Sequence, residues 1–281
     1  ESTNKIESEV IVVDNNSSDD TINMIESLFP YVLLIKNKIN LGFSTANNLG
    51  VKKAKGKYIC LLNPDTVVPE DFFSRIIKFK ESKSSIGIVG CKMIDGRGKF
   101  LPESKRNRPY TMMVLKRFIG LKNDYYFDNI SKDEIGVTDV LCGAVMFMEK
   151  KNFQKADGFD EKYFMFGEDI DLSHKVLKQG LKNYYLGDLS IIHYKGESTN
   201  KNHKYYKSFY GAMGIYYRSH IANNILNKLL SHIIIELIIF FKSFTITSRF
   251  KFRKKNKDCY LISDIIYDGL KNRVSKQINS I

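Results

Sequence analysis

The fold class is indicated by residues 10–21, which read Val-Ile-Val-Val-Asp-Asn-Asn-Ser-Ser-Asp-Asp-Thr. Four consecutive apolar, β-branched residues are typical of a parallel strand that is buried on both faces. The acids, amides and hydroxyls that follow favour a turn and then the start of a helix. We therefore expect a strand, a helix to about Leu28, and a second strand over 32–35 after Pro30.

The same alternation of strand and helix continues along the chain. Strands that alternate with helices at this spacing predict an α/β protein with a doubly wound sheet. Residues 98–139 are polar and weakly patterned, which suits either a loop over a site or ordinary variable surface. The sequence predicts helices over 44–55, 69–83 and 168–179, strands over 58–62, 86–89, 183–186 and 189–193, apolar order over 140–148 and a hairpin turn at 95–98.

The composition supports a folded core. Of the 281 residues, 43% are hydrophobic, and 44 Lys and Arg against 31 Asp and Glu leave a net charge of +13. This apolar content excludes disorder of the whole chain. The first residues hold no apolar signal region, and the cysteines form no C-x-x-C pair, so we expect a cytoplasmic protein with reduced cysteines and no zinc site. The cysteines are Cys60, Cys91, Cys142 and Cys259.

Acidic and amide side chains directly follow two predicted strands. Asp14 ends the first strand, and Asn63-Pro-Asp65 follows the strand over 58–62. Ligands of open α/β sheets bind at the carboxyl ends of the strands, and carboxylates reach an anionic ligand through a metal ion. The alternatives are that Asp14 merely turns or caps the chain and that Asp65 is a turn residue after Pro64. No phosphate-binding Gly-rich loop, H-E-x-x-H or G-x-S-x-G motif is present, which weighs against dinucleotide oxidoreductases, P-loop proteins, zinc proteases and serine hydrolases.

A third candidate cluster opens the helix predicted over 168–179. Glu168 and Asp169 follow an aromatic loop that begins at Phe164. A partly desolvated carboxylate beside aromatic rings has a raised pKa and can act as a general base. The alternative is that both are ordinary acids of a helix N-terminus, favoured there by the helix dipole. His193 ends a predicted strand two residues before Lys195, so it could ligate a metal or bind a phosphate, although a lone His is more often structural.

These motifs together resemble family 2 glycosyltransferases, and most closely the rhamnosyltransferase-like subgroup. The resemblance covers about residues 10–200. It implies a GT-A fold, a Rossmann-like mixed sheet with helices on both faces that binds nucleotide-diphosphate sugars. It also implies transfer of the sugar, with inversion, from such a donor to a hydroxyl of a glycan or lipid-linked acceptor in cell-surface polysaccharide synthesis, with dTDP-rhamnose as a candidate donor. The motifs are residues 12–21, Asn40-Leu-Gly-Phe43, Ala46-Asn-Asn48 with Gly50, Asn63-Pro-Asp-Thr66, and Gly167-Glu-Asp-Ile-Asp-Leu172.

The resemblance also implies roles for single residues. Asp169 would be the general base beside Glu168, and Asp65 would ligate Mg²⁺ or Mn²⁺ with help from His193. Asp14 would contact the nucleotide base. The remaining donor-binding residues would be Asn40, Phe43, Asn47, Asn63 and Lys195, and the acceptor-binding residues would be Gly143 and Phe166.

Two features depart from the family pattern. The first carboxylate of the family's D-x-D motif is the neutral Asn63 here, so the metal ion is expected to arrive with the donor phosphates. Relatives also begin with an apolar strand ahead of the one at Val10. We therefore predict a GT-A catalytic domain over residues 1–200 that lacks its first strand.

The segment over 201–281 differs in composition. Residues 225–244 are apolar, but Lys228, His232 and Glu236 fall on one helical face, which favours a helix lying in the plane of a membrane over one that spans it. The basic run 249–257 suits an anionic membrane surface, which predicts peripheral binding at the inner face of the cell membrane. The alternatives are a helical hairpin packed on the catalytic domain and a homodimer interface.

The net charge is concentrated in this C-terminal segment. Residues 201–281 hold 15 basic and 4 acidic residues, which gives +11, whereas residues 1–200 hold 29 and 27, which gives +2. Nucleic acid is therefore not the expected partner. Two rival functions stay open: a sugar nucleotidyltransferase, in which the Glu168-Asp169 motif would have no role, and a non-enzymatic protein that binds membranes or nucleic acid.

Overall fold

The structure is a computed structural model that describes residues 2–3, 6–110, 113, 125–194 and 203–249. Most of the predicted elements form where the apolar pattern places them, with ends that agree to within three residues. The strand predicted over 86–89 is longer than expected and continues to Ile94. Among the described residues the helices include α1 Thr21–Leu28, α2 Phe43–Lys53, α3 Phe72–Glu81, α4 Lys150–Lys155, α5 Glu168–Lys178, α6 His203–His220 and α7 Ile225–Arg249, and a 3₁₀ turn spans Pro102–Ser104.

A mixed six-stranded sheet forms the centre of the molecule. Its strands are β3 Tyr58–Leu62, β4 Thr66–Val67, β5 Ile86–Ile94, β7 Ile135–Thr138, β9 Val145–Glu149 and β10 Lys182–His193. They lie in the order β3-β9-β5-β10-β4, and β7 also pairs with β10. Only β5 and β10 run parallel within this sheet, since β9, β4 and β7 are antiparallel to their neighbours.

Two small sheets flank the central one. The strands β1 Ile11–Asp14 and β2 Leu33–Lys36 are parallel, as expected for a strand-helix-strand unit. The strands β6 Lys105–Arg106 and β8 Val140–Leu141 are antiparallel and lie in or next to the stretch over 98–139 that showed no clear pattern. The hairpin turn predicted at 95–98 is confirmed, because the N–H of Gly98 donates to the carbonyl of Asp95.

The core lies on both faces of the central sheet. Successive side chains of a strand point to opposite faces, and in β9 Met146 and Met148 pack into one apolar cluster while Val145 and Phe147 pack into the other. Helices α2, α4 and α5 cover the first cluster and α3 covers the second. The predicted class, an α/β mixed sheet with helices on both faces, is confirmed.

The two strands predicted over 183–186 and 189–193 are in fact one strand, β10. Its register against β5 shifts between Leu186 and Ser190, so the strand bulges and continues. At the bulge, Gly187 donates its N–H to the carbonyl of Glu134, and a Cβ there would lie 2.5 Å from that residue's backbone. The prediction of two strands was wrong because a glycine that ends a strand and a glycine that permits a close backbone approach look alike in sequence.

The chain divides into two compact units, Glu1–Ser243 and Phe244–Ile281. The first unit extends beyond the limit predicted at residue 200, because α6 packs through Ala212 and Tyr216 on Tyr163. Helix α7 in turn packs on α6, where Ile235 lies close to Gly214. Over the described part of the first unit, α6 therefore has α7 on one side and Tyr163 on the other.

A buried polar cluster joins α6 to α5. His174 Nδ1 and the hydroxyl of Tyr216 form a hydrogen bond of 2.8 Å. The ring of His174 also stacks on the ring of His220, with 4.3 Å between their centroids. His220 Nε2 lies 2.6 Å from Asp171 Oδ1, and Lys175 Nζ lies 2.8 Å from Asp171 Oδ2. Burial, with the charge of His220, lowers the pKa of His174 to about 4, so this ring is neutral in the folded protein near neutral pH.

This cluster predicts that the protein loses stability on mild acidification. The unfolded chain protonates His174 near its ordinary pKa of 6.5, whereas the folded chain resists protonation until about 4. The unfolded state therefore binds more protons in this window, and the free energy of unfolding falls as the pH falls from 6.5 to 4, by up to about 1.4 kcal/mol per pH unit. Urea unfolding at several pH values should show that the free energy of unfolding of His174→Gln depends less steeply on pH than that of the parent. The exposed His232 provides the control, since His232→Gln should keep the parent slope; an unchanged slope in His174→Gln would contradict the assignment.

Candidate active site

Three carboxylates are buried in the first turn of α5. Gly167 precedes the helix in the left-handed conformation at φ +81°, and Glu168, Asp169 and Asp171 follow. Each is less than a tenth exposed. Asp171 faces α6 through His220, so the other two, here called the carboxylate pair, are left to form a site.

Asp169 has three hydrogen-bond donors. Its Oδ2 accepts bonds from Arg106 Nη2 at 2.6 Å and from the backbone N–H of Gly143 at 3.0 Å. Its Oδ1 accepts the N–H of Ile170 at 2.8 Å. The carboxylate is therefore held in one orientation beside a buried guanidinium.

Glu168 has a different environment. Its Oε2 is buried and has no hydrogen-bond partner among the residues that the structure describes. Burial, followed by the charge of Asp169, raises the pKa of Glu168 to about 8, against the opposing effect of Arg106. Burial and the neighbouring carboxylate thus favour the protonated form of Glu168.

Asp65 and His193 are brought together by β4. The antiparallel ladder of β4 with β10 sets Thr66 opposite His193, and the N–H of Tyr194 donates to the carbonyl of Asp65 at 2.9 Å. Asp65 Oδ1 consequently lies 3.3 Å from His193 Nε2. Lys195, the other predicted anion-binding residue here, lies outside the described residues.

These side chains fit a divalent ion as two of its ligands. His193 is buried, and its Nδ1 has no hydrogen-bond partner within the described part of the chain. Within the residues that the structure describes, no group of three or more His, Cys, Asp or Glu could hold a metal ion. Mg²⁺ is commonly bound by one or two carboxylates together with substrate phosphates, so the two-ligand set fits an ion that is shared with a phosphorylated ligand.

The backbone of residues 142–144, here called the junction loop, connects the two parts of the site. Its Ala144 carbonyl accepts the N–H of Asn63 at 3.0 Å, while its Gly143 N–H donates to Asp169. A Cβ on Gly143 would lie 3.3 Å from Asp169 Cβ. The Asn63-Pro-Asp65 segment and the carboxylate pair, about a hundred residues apart in sequence, therefore share one support.

The predicted donor-binding residues near α2 make local bonds. Asn40 Oδ1 accepts the N–H of Gly42, and the Asn47 amide donates to the carbonyl of Phe43. Asp14 Oδ2 accepts the N–H groups of residues 16 and 17, at 3.0 and 3.1 Å, which is the turn role weighed as the alternative. The Phe43 ring packs on Phe159 at 5.8 Å. Contacts of these side chains with a nucleotide stay predictions.

The N-terminus of α2 is joined to the loop before the carboxylate pair. The N–H of Phe43 donates to the carbonyl of Phe164 at 2.7 Å, and Ser44 Oγ donates to the carbonyl of Tyr163 at 2.6 Å. Gly42 has φ +84°, and a Cβ there would lie 2.6 Å from the Phe164 carbonyl oxygen. This contact requires glycine both for its dihedral angle and for the space.

Phe166 lies at the other end of this loop, next to α6. Its backbone is left-handed at φ +71°, and its ring contacts Tyr205 at 5.3 Å and Phe209 at 5.8 Å. The adjacent Phe164 and Met165 are exposed. An aromatic surface is thus present two residues before Glu168, and the acceptor-binding role of Phe166 stays a prediction.

Arg106 is the site residue that the sequence did not reveal. It belongs to a two-residue strand in a polar stretch, where neither periodicity nor a motif marks it. The signal that the sequence offered was the adjacent basic pair Lys105-Arg106 in an otherwise weakly patterned stretch.

Solved structures of other proteins share the fold of this chain. A mannosyltransferase from Pyrobaculum calidifontis, in complex with GDP-Man and Mn²⁺, superposes with a TM-score of 0.53 at 15% identity, covering 85% of this chain and 64% of that one. Staphylococcus aureus TarS (residues 1–349) gives a TM-score of 0.50 at 18% identity, covering 79% and 58%. The fold is therefore that of the GT-A glycosyltransferases, as predicted.

The chain belongs to glycosyl transferase family 2, whose profile matches residues 2–153. A second profile, described as the N-terminal domain of galactosyltransferase, matches residues 137–211. The rhamnosyltransferase WbbL of Escherichia coli is 31% identical over 162 residues, covering 54% of this chain and 61% of that protein. The N-acetylglucosaminyl-diphospho-decaprenol L-rhamnosyltransferase of Mycobacterium tuberculosis is 23% identical over 211 residues, covering 69% and 68%. The chain thus spans about two thirds of these relatives, and the predicted rhamnosyltransferase-like resemblance is confirmed.

The contact of Gly42 with Phe164 predicts an unusually costly glycine substitution. Gly42→Ala should lower the free energy of unfolding by more than the roughly 1–2 kcal/mol that a left-handed alanine costs, because its Cβ would also displace the Phe164 carbonyl. Gly98→Ala is the matched control, since Gly98 has φ +78° and no atom within 4 Å of its Cβ position. Thermal unfolding should rank Gly42→Ala clearly below Gly98→Ala; equal losses would mean that the loop junction contributes nothing.

Proposed function

We propose that the protein is an inverting glycosyltransferase that moves a sugar from a nucleotide-diphosphate donor to a hydroxyl of a glycan or lipid-linked acceptor. The observation that carries this proposal is the junction loop, which supports Asp169 on one side and Asn63 on the other. A buried carboxylate and a set of residues suited to a phosphate-bound cation are held together in a family 2 chain. Cell-surface polysaccharide synthesis is the setting that the named relatives support.

Asp169 is the general base of this proposal. A hydroxyl is a weak nucleophile, and transfer of its proton to a positioned carboxylate accelerates attack by about a hundred to ten thousand fold. The acceptor oxygen forms its bond to the anomeric carbon as the bond to the leaving diphosphate breaks. Because attack comes from the side opposite the leaving group, the configuration at that carbon inverts.

The donor side of the proposal rests on Asp65 and His193. These residues would hold Mg²⁺ or Mn²⁺, which supplies positive charge to the diphosphate as it leaves. Asn63 is neutral, so the Asn63-Pro-Asp65 segment carries one negative charge fewer than a D-x-D motif. In this proposal Asn40, Phe43 and Asn47 contact the nucleotide, and the backbone junction of Gly42 with Phe164 supports their segment. The names of the relatives favour rhamnose as the transferred sugar, in keeping with dTDP-rhamnose as the candidate donor.

Two rival functions receive less support. A sugar nucleotidyltransferase gives no role to the carboxylate pair, although burying two adjacent carboxyls costs free energy of folding. A non-enzymatic binding protein gives no role to either half of the site. The near-neutral charge of residues 1–200, +2 from 29 basic and 27 acidic residues, offers no field for nucleic acid on that part of the chain.

The proposed base predicts a large and specific loss of activity. Asp169→Asn should lower kcat for sugar transfer by at least about a hundredfold, with donor binding retained. A screen of dTDP-, UDP- and GDP-sugars, with and without Mn²⁺, first identifies the donor. Thermal shift then reports donor binding, and the rate of sugar release from the donor, by hydrolysis or transfer, reports kcat. Asp188→Asn is the matched control, because Asp188 is exposed and pairs with Arg75 at the surface. Undiminished transfer by Asp169→Asn would overturn the base assignment, and the absence of any donor effect in the parent would overturn the proposed function.

We further propose that α7 binds an anionic membrane surface. Ile235 and Ile239 are buried, whereas eight large apolar residues of the same helix are exposed. These eight form the apolar face of α7 and are Ile225, Leu226, Leu229, Leu230, Ile233, Ile234, Leu237 and Phe240. Within the described residues, no helix is long and apolar enough to cross a bilayer.

Charge favours a lipid surface over a second copy of the chain. Residues 201–281 carry +11, from 15 basic and 4 acidic residues, and the basic run 249–257 follows the apolar face directly. Two such segments would repel each other, whereas anionic headgroups attract them by about 1 kcal/mol per basic residue near the surface. The inner face of the cell membrane is therefore the proposed location.

Substitutions on the apolar face should weaken membrane binding. Leu229→Ser with Ile233→Ser should reduce binding to phosphatidylglycerol vesicles at least tenfold. Each substitution removes an apolar side chain that would move from water into the bilayer on binding. The matched control is Leu28→Ser with Tyr31→Ser, which changes two exposed apolar residues of α1 and the turn after it. Vesicle sedimentation and analytical ultracentrifugation separate the outcomes: unchanged vesicle binding, or a dimer in the parent that the double variant dissociates, would overturn the membrane proposal.

A further inference from the structure

One guanidinium is buried against the carboxylate pair. Arg106 is 6% exposed, and its Nη2 lies 2.6 Å from Asp169 Oδ2 and 2.9 Å from the carbonyl of Leu141. Its Nη1 lies 3.1 Å from the hydroxyl of Tyr125. The side chain is therefore held at its far end by three partners, of which Asp169 is the charged one.

This ion pair is shielded from water. The side chains of Arg106 and Asp169 are 8% and 11% exposed, so their attraction is screened far less than that of a surface pair. The backbone N–H groups of Gly143 and Ile170 complete the bonds to the same carboxylate. Rotation of the carboxylate would break a charged bond and at least one backbone bond together.

Glu168 makes no ion pair of its own among the described residues. Its Oε2 is buried without a partner there, and the charge of Asp169 adds to the cost of ionising it. The described ionisable groups that face Asp169 are Arg106 from β6, Cys142 from the junction loop and Glu168 from its own helix, with Tyr125 behind the guanidinium. Arg106 is the cation among these described groups.

We propose that Arg106 is a positioning residue that makes Asp169, rather than Glu168, the ionised member of the carboxylate pair and fixes the orientation of its carboxylate. This inference rests on the proposed function, because it assigns the charge state of the proposed base. Without the guanidinium, two adjacent buried carboxyls would compete for one negative charge. Consistent with this, burial and the charge of Asp169 raise the pKa of Glu168 to about 8.

The test is the pH dependence of kcat in Arg106 variants. Removing the cation makes protonated Asp169 more favourable, so the base ionises at a higher pH and the acid limb of the profile moves upward. Arg106→Met should lower kcat at pH 7 by at least tenfold and shift the acid limb up by at least one pH unit, with partial recovery near pH 9. Arg106→Lys keeps a charge without the forked geometry and should shift the limb less.

A matched control removes a buried cation elsewhere. Lys80 is 3% exposed, and its Nζ lies 2.7 Å from Glu149 Oε1. Lys80→Met should destabilise the fold and leave the pH profile where it is. If the Arg106→Met profile superimposes on that of the parent after scaling, Arg106 has a structural role alone and the proposal is overturned.

A stability measurement keeps the inference separate from the proposed function. Thermal unfolding of Arg106→Met, Asp169→Asn and the double variant forms a double-mutant cycle that requires no activity. We expect the double variant to be more stable than the sum of the single losses, because neither charge is then left buried alone. Additive losses would show that the two side chains do not stabilise each other, and this result would overturn the inference. If the parent transfers no sugar from any donor, the proposed function fails and the cycle still decides the pairing.

Discussion

The structure depends on the burial of three carboxylates in the first turn of one helix. The helix dipole favours acids at this position, but removing them from water is costly unless each has a partner. The partners come from distant parts of the chain: Arg106 lies 63 residues before Asp169, and His220 lies 49 residues after Asp171. The short ladder of β6 with β8 brings Arg106 to the helix, and the packing of α6 on α5 brings His220.

A second consequence is the difference between two adjacent acids. Glu168 and Asp169 are consecutive residues of one helix, yet one is bonded by a guanidinium and two backbone N–H groups while the other has a buried oxygen without a partner. The junction loop adds the spatial link, because the same short backbone segment contacts Asp169 and the end of β3. The proposed base and the proposed cation site can thus be held at a constant separation by backbone bonds rather than by flexible side chains.

Much of the fold and part of the site were predictable from local sequence. The buried strands gave continuous apolar runs, and the acids of α5 marked its N-terminus. Asp65 and His193 were recognised separately, and β4 places them 3.3 Å apart. Asp14, by contrast, makes the turn that was weighed as its alternative role. Arg106 escaped prediction because a two-residue strand carries no periodicity, and β10 was divided in two because the bulge at Gly187 resembles a break.

The sequence by itself determined the α/β class, the family, the position of the carboxylate pair and the concentration of positive charge after residue 200, since each is a property of neighbouring residues or of composition. The tertiary structure alone decided which carboxylate has a cation, which residues flank the proposed metal site and which face of α7 stays exposed. The physical reason is that burial and ion pairing depend on contacts between residues far apart in the chain, and local patterns of hydrophobicity and charge contain no information about which distant side chain will supply the partner.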